Sequence, residues 1–154
     1  MTNSELLAGG SMIRRTDDAT GYGAQLSIAA PPKRVHDALT TLSGISGWWF
    51  TQDVRGSAAA GGDFTVVWRD GGADFVAHVE AAEPGLVRWK CLAKHPESDW
   101  VGTAITFELS GESSDSTVVA FRHTGLVPIL DCFEQCEAGW DQVLKSLALY
   151  GAER

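Results

Sequence analysis

GLVPILDCFEQCEAGWDQVLKSLALYGAER, residues 125–154, is the stretch whose reading decides the fold. From Ile129 onward the apolar residues Phe133, Cys136, Trp140, Val143, Leu144, Leu147 and Tyr150 recur three or four positions apart, the spacing that lines one face of a helix. The pattern predicts one long amphipathic helix over the whole stretch. An apolar stripe of that length needs a cover, and the runs upstream supply it, because they alternate apolar and polar residues and so bury one face each. The predicted arrangement is a curved sheet gripping a long terminal helix, around either a solid core or a cavity.

Working back from the helix, Val119, Phe121 and His123 alternate with Ala120, Arg122 and Thr124. Before them Val101, Thr103, Ile105, Phe107 and Leu109 share one side of a strand, as do Val87, Trp89 and Cys91, then Phe75, Ala77 and Val79, then Phe64, Val66 and Trp68. The turns between them carry Asp70-Gly71-Gly72 and Glu83-Pro84-Gly85, and GSAAAGG (56–62) makes a longer one. Ala24, Leu26 and Ile28 form the first strand, which stops at Pro31-Pro32, a pair suited to a helix start. Val35, Ala38, Leu39 and Leu42 line a short helix; Ile45, Trp48 and Trp49 follow in a second short turn, with the tryptophans opening the next strand. Residues 1–22 show no period that packing would use and are read as a flexible leader and linker, leaving 23–154 as one domain. Consecutive strands with segregated helices make the class α+β, with about six to seven antiparallel strands.

Composition narrows the function. A chain of 154 residues, 44% hydrophobic and 21% charged, suffices for a single core. A formal charge of -8 disfavours nucleic acid and anionic membrane surfaces, which repel a protein of that sign. The sequence contains no apolar run of bilayer-spanning length and no basic-then-apolar start, so membrane insertion is not expected and a cytoplasmic location is.

Three cysteines do not read as a disulfide framework. Cys132 and Cys136 share a helical face, but a zinc site needs three or four ligands and only the fold would bring Cys91 and His123 to them; small buried hydrophobes are the simpler reading, with no metal. The sequence has no nucleophile elbow, no His-Glu-x-x-His and no phosphate-binding glycine loop, hence no assigned catalytic residue and no cofactor. Asp131, Glu134, Glu137 and Asp141 recur opposite the apolar stripe as a solvated face. Gly139, in mid-helix, is read as permitting either a bend and close sheet approach or ordinary packing. His36, His78 and His95 are expected to be exposed. Trp100, next to a polar loop, is expected at the surface, as an interface or pocket-mouth residue.

Five segments together carry a resemblance: IAAPPKRVHDALTTLSGISGWW (28–49), AAEPGLVRWK (81–90), WVGTAITFEL (100–109), STVVAFRHTGL (116–126) and CEAGWDQVLKSLALY (136–150). In this order and spacing the chain resembles the START-related helix-grip superfamily (SRPBCC), within it the group named for homology to the activator of the heat-shock-protein ATPase. The resemblance covers about Gly23 to Gly151. It implies the helix-grip fold and a deep apolar pocket between sheet and terminal helix, used in the superfamily for lipids, aromatic polyketides and other small hydrophobic molecules. It also admits a homodimer.

The inward strand faces and the helix supply the walls of such a pocket: Phe64, Trp68, Phe75, Trp89, Phe107 and Phe121 from the strands, Phe133, Cys136 and Trp140 from the helix. Cys91, Thr103 and His123 are the polar or polarisable contacts expected among them. His123 points inward with Val119 and Phe121, where it either binds a ligand oxygen and moves a proton or is tied to a neighbour in the core. Three functions follow: binding a small hydrophobic or aromatic molecule, a polyketide cyclase or dehydratase-like reaction using His123 for proton transfer, and a chaperone-associated interaction module. The first fits the residues best.

Overall fold

Alternation along the chain becomes one antiparallel sheet. The structure, a computed structural model, describes residues 4–6, 11–49, 53–67, 73–94, 98–131 and 133–152. Among these, nine strands pair: β1 (Ser4–Leu6), β2 (Met12–Arg15), β3 (Gly21–Ile28), β4 (Asp53–Gly56), β5 (Asp63–Val67), β6 (Ala73–Glu83), β7 (Leu86–Lys94), β8 (Ala104–Ser113) and β9 (Ser116–Thr124). Their spatial order is β1-β2-β3-β9-β8-β7-β6-β5-β4. The first and last of the long strands, β3 and β9, therefore meet inside the sheet, in register from Gly21↔Thr124 to Ile28↔Thr117. Register shifts at Val66/Val67, Val76/Ala77, Val79/Ala81 and Gly111/Ser113 add the bends that curve the sheet.

The inward faces are those the alternation predicts. Val87, Trp89 and Cys91 are buried and Arg88 and Lys90 exposed; Val119, Phe121 and His123 are buried between partly covered or exposed neighbours. Helix α1 (Pro32–Thr40) starts with proline in its first turn and buries Val35, Ala38 and Leu39. Helix α2 (Leu42–Trp48) follows directly, its first turn capped by the Thr41 hydroxyl accepting from Gly44 N–H. Trp48 and Trp49 close this helix instead of opening a strand; β4 begins at Asp53.

The terminal helix α3 (Phe133–Ala152) is shorter than its sequence pattern suggested and begins eight residues after Gly125. Gly125 has φ +103°, and Pro128 disfavours helical backbone at Val127, so residues 126–131 form turns bonded from Leu130 N–H to Val127 O and Phe133 N–H to Leu130 O. Ile129, counted in the stripe, is 87% exposed in those turns. From Cys136 the stripe holds: Cys136, Trp140, Leu144, Leu147, Ala148 and Gly151 are buried, with Phe133, Val143 and Tyr150 packed at its margins. The helix rests on β3, α1 and α2. None of the described helices is long and apolar enough to cross a membrane.

Residues read as a leader join the sheet. Met12–Arg15 pair with Ala24–Ser27, and Ser4–Leu6 with Met12–Arg14, which accounts for the two strands beyond the expected six to seven. The pattern MIRR hides this because only Ile13 and the preceding Ser11 are buried, while Arg14 and Arg15 lie half-covered across β3 and α3.

Candidate functional site

Between the concave sheet and α3 lies a layer of aromatic rings in mutual contact. Period-2 geometry aims Phe64, Phe75, Trp89, Phe107 and Phe121 inward from five adjacent strands, and register sets some directly opposite, as in Phe107↔Phe121, whose centroids are 5.1 Å apart. Trp89 meets Phe64 at 4.9 Å and Phe107 at 5.0 Å, both edge to face. Trp49, at the end of α2, lies flat on Phe75 (5.1 Å, 10°) and reaches Trp89 (6.3 Å) and Trp140 (5.4 Å). Trp140 brings α3 onto Phe121 (4.6 Å).

A chain of hydrogen bonds borders this layer. Trp140 Nε1–H donates to His123 Nδ1 at 2.9 Å; an indole nitrogen can only donate, so Nδ1 accepts and the neutral ring carries its proton on Nε2. His123 Nε2–H then meets Thr103 Oγ1 at 2.7 Å, and the Thr103 hydroxyl donates to Trp100 O at 2.6 Å. Trp100 Nε1–H donates to Cys136 Sγ at 3.1 Å. Trp100 and Trp140 stack (5.6 Å, 8°) with His123 edge-on to both. His123 has no exposed surface, and burial pushes its pKa down to about 3, so the imidazole is neutral at physiological pH. Cys91, beyond Trp89 on β7, gives its thiol to Ala93 O at 3.6 Å, and burial pushes its pKa up to about 12.

Of the residues read as candidates, the structure brings His123, Thr103, Cys136 and Trp140 into one network and Trp89, Phe107 and Phe121 into one ring layer. Phe133 packs at the margin of the core and Cys91 lies inward on β7. Trp68, Cys132 and His95 lie outside the described residues. His36, expected in solvent, is half-buried with Nε2 3.1 Å from Ala82 O; His78 is near the surface, 2.6 Å from Asp63.

Three members of the site escaped the sequence reading. Trp100 is buried, because a 3-10 turn at Ser98–Trp100 folds its ring under α3. Trp49 caps α2 and so points inward with Trp48. Tyr22, left in the linker, is fully buried; extending the Ala24, Leu26, Ile28 alternation back by two positions finds it. Its hydroxyl donates to Asp141 Oδ1 at 2.5 Å, and burial raises its pKa well above the usual phenol value. Asp141 and Glu137, read as a solvated face, hold Arg15 at 3.4 and 2.8 Å, and the Arg15 guanidinium covers the Tyr22 ring at 4.4 Å. Gly139 is exposed and a Cβ there would meet open space, so no close approach of the sheet requires it.

A depression of about 380 Å³ lies on the outer sheet face among Gln25, Arg88, Thr106, Glu108, Arg122 and Thr124. Its arginines are engaged: Arg88 with Glu80, Arg122 with Asp18 and the carbonyls of Thr16 and Gly21. The inner layer is the better candidate site.

Comparison with known structures supports the same architecture. The Aha1 dimer of Colwellia psychrerythraea is 29% identical, with 84% of this chain and 94% of that one aligned at a TM-score of 0.71. CalU16 of Micromonospora echinospora is 19% identical over 97% and 83% of the two chains (TM-score 0.64), and MLL2253 of Mesorhizobium loti 22% over 83% and 95% (TM-score 0.65). No curated protein matches the sequence. The family described as Activator of Hsp90 ATPase homolog 1-like protein matches residues 29–152, and the chain belongs to that family.

Proposed function

We propose that the protein binds a small hydrophobic or aromatic molecule between the sheet and α3. The observation that carries this reading is the convergence of Trp49, Phe75, Trp89, Phe107, Phe121 and Trp140 on one interior layer. Flat rings from separate elements offer large apolar contact with little conformational freedom to lose, the chemistry that suits an aromatic guest. Trp49 stands at the C-terminal cap of α2 (φ -95°, ψ 85°), in neither helix nor strand, so its ring can leave the layer without unwinding a strand or α3. Native mass spectrometry of protein purified from cells, compared with the denatured chain, tests the reading: a bound mass lost on unfolding supports it. Absence of any bound mass, together with no tryptophan quenching by aromatic ligands, overturns it.

Catalysis through His123 is less well supported, since both ring nitrogens are engaged within the protein and a pKa of about 3 leaves the ring neutral, neither an imidazolium acid nor a strong base near neutrality. The likeness to a dimeric Aha1 supports a homodimer, which light scattering on the purified chain tests directly.

A further inference from the structure

Within the ring layer one polar group stands out. The side chain of Trp89 has no exposed surface, and its Nε1–H has no hydrogen-bond partner among the described residues. The indoles of Trp48, Trp100 and Trp140, also buried, all donate: to Ala38 O, Cys136 Sγ and His123 Nδ1. An unpaired buried donor costs roughly 1–3 kcal/mol, and native proteins keep few of them away from sites where another molecule supplies the acceptor. The surroundings limit what that molecule is. Trp89 is ringed by Phe64, Phe75, Phe107 and Trp49, and the fully covered side chains with a hydroxyl or imidazole among the described residues are Ser11, Tyr22, Thr117 and His123, none of them charged at neutral pH. Lys94 sets its ammonium over Trp100, at 5.2 Å, on a different ring from those around Trp89. A carboxylate or phosphate here would be desolvated without a cation beside it.

Resting on the binding function proposed above, we infer that the guest is a neutral, flat molecule of about two fused rings that replaces the Trp49 indole on Phe75 and accepts a hydrogen bond from Trp89 Nε1–H through one carbonyl or ether oxygen. The size follows from Trp49, the ring that stacks on Phe75 and sits beside Trp89. The neutrality follows from the uncharged walls. The single acceptor follows from Trp89 Nε1–H, the one unpaired donor in the ring layer among the described residues, the other, Arg14 Nε, lying on β2. Fatty acids and phosphorylated lipids are excluded from this position by the same argument.

Three probes of matched shape separate the elements of the inference: 2-acetylnaphthalene, 2-ethylnaphthalene and 2-naphthoate, titrated by calorimetry and tryptophan fluorescence. The ketone is expected to bind about tenfold more tightly than the hydrocarbon, the gain of one hydrogen bond to a donor otherwise unpaired, and the carboxylate more weakly than either. Replacing Trp89 by its benzothienyl analogue, which keeps ring size but carries sulfur for N–H, should equalise ketone and hydrocarbon; Trp89→Phe serves as a second variant and assigns the Trp89 indole signal in a nitrogen-15 spectrum. That signal should move downfield with the ketone alone. Equal binding of ketone and hydrocarbon by the unmodified protein would leave the pocket standing and remove the donor's role. So would an indole signal already shifted as for a bound water or for a proton held over a Phe64 or Phe107 ring face. Failure of all three probes to bind up to their solubility would remove the pocket as well.

Discussion

His123 shows how much one buried side chain couples to solution conditions. Its ordinary pKa of 6.5 applies in the unfolded chain, whereas burial holds it at about 3 in the fold. Below pH 6.5 the unfolded state therefore binds a proton that the native state refuses, and stability falls by about 1.4 kcal/mol per pH unit from this residue as pH drops from 6.5 toward 3. Urea midpoints between pH 7 and 4 should decline more steeply for the wild type than for His123→Gln, which has no proton to take up. Two glycines make a contrasting pair. Gly139 is exposed with open space at its Cβ position, so Gly139→Ala is expected to raise stability by about 0.5–1 kcal/mol through helix propensity. Gly47 faces Tyr150, whose Cε1 would lie 2.3 Å from an added Cβ, so Gly47→Ala should cost about 1–3 kcal/mol as α2 and α3 are pushed apart. Thermal melts of the two variants should move in opposite directions. None of these three outcomes is visible from composition: propensity and residue type are local, but the space around a Cβ and the burial of an imidazole belong to the packed chain.

At the scale of elements, β2 is the strand held least by its own sequence. Ile13 is its one buried apolar residue, and Arg15 fastens it to α3 through Glu137 and Asp141 while Asp17 shares the same guanidinium. These groups are all about a third exposed, which limits the ion pairs to about 1 kcal/mol or less. Arg15→Ala is accordingly expected to lower the melting temperature slightly but to free the amides of Met12–Arg15 to exchange well before those of β3, an effect that added salt should mimic. Hydrogen exchange read by mass spectrometry checks both. β3 and the strands from β5 to β9 were legible in outline because each alternates over at least four residues, and α1 was legible from Pro32 and its apolar face; β4 was not, because DVRG carries one buried apolar residue, Val54, and the tryptophans expected to open it close α2 instead. The start of α3 was not, since the three-and-four spacing runs on through Ile129 and outweighed Pro128, the residue that stops it. In β2 the alternation is too short to rise above two arginines.

For the molecule as a whole, Trp140 joins helix to sheet: its ring rests on Phe121 and Trp49, and its N–H satisfies His123. Trp140→Phe keeps an aromatic ring there but leaves Nδ1 a buried acceptor without a donor, at a cost of about 1–3 kcal/mol from that atom alone. Denaturant unfolding should show the loss, and a larger one for Trp140→Ala, where a cavity adds to it. By itself the sequence determined which side chains face inward on the long strands, where α1 begins, and that an apolar stripe on the terminal helix would be covered by the sheet. Those properties repeat every two or 3.6 residues and follow from backbone geometry within a few positions. Only the tertiary structure decided that Trp100 turns under α3, that Tyr22 and Arg15 meet Asp141, that Thr103, His123, Trp140 and Cys136 share one hydrogen-bond network, and that Trp89 is left with an unanswered donor. The side-chain contacts among these join residues 17 to 126 positions apart, and such meetings depend on strand register and on how the helix docks, which no local period encodes.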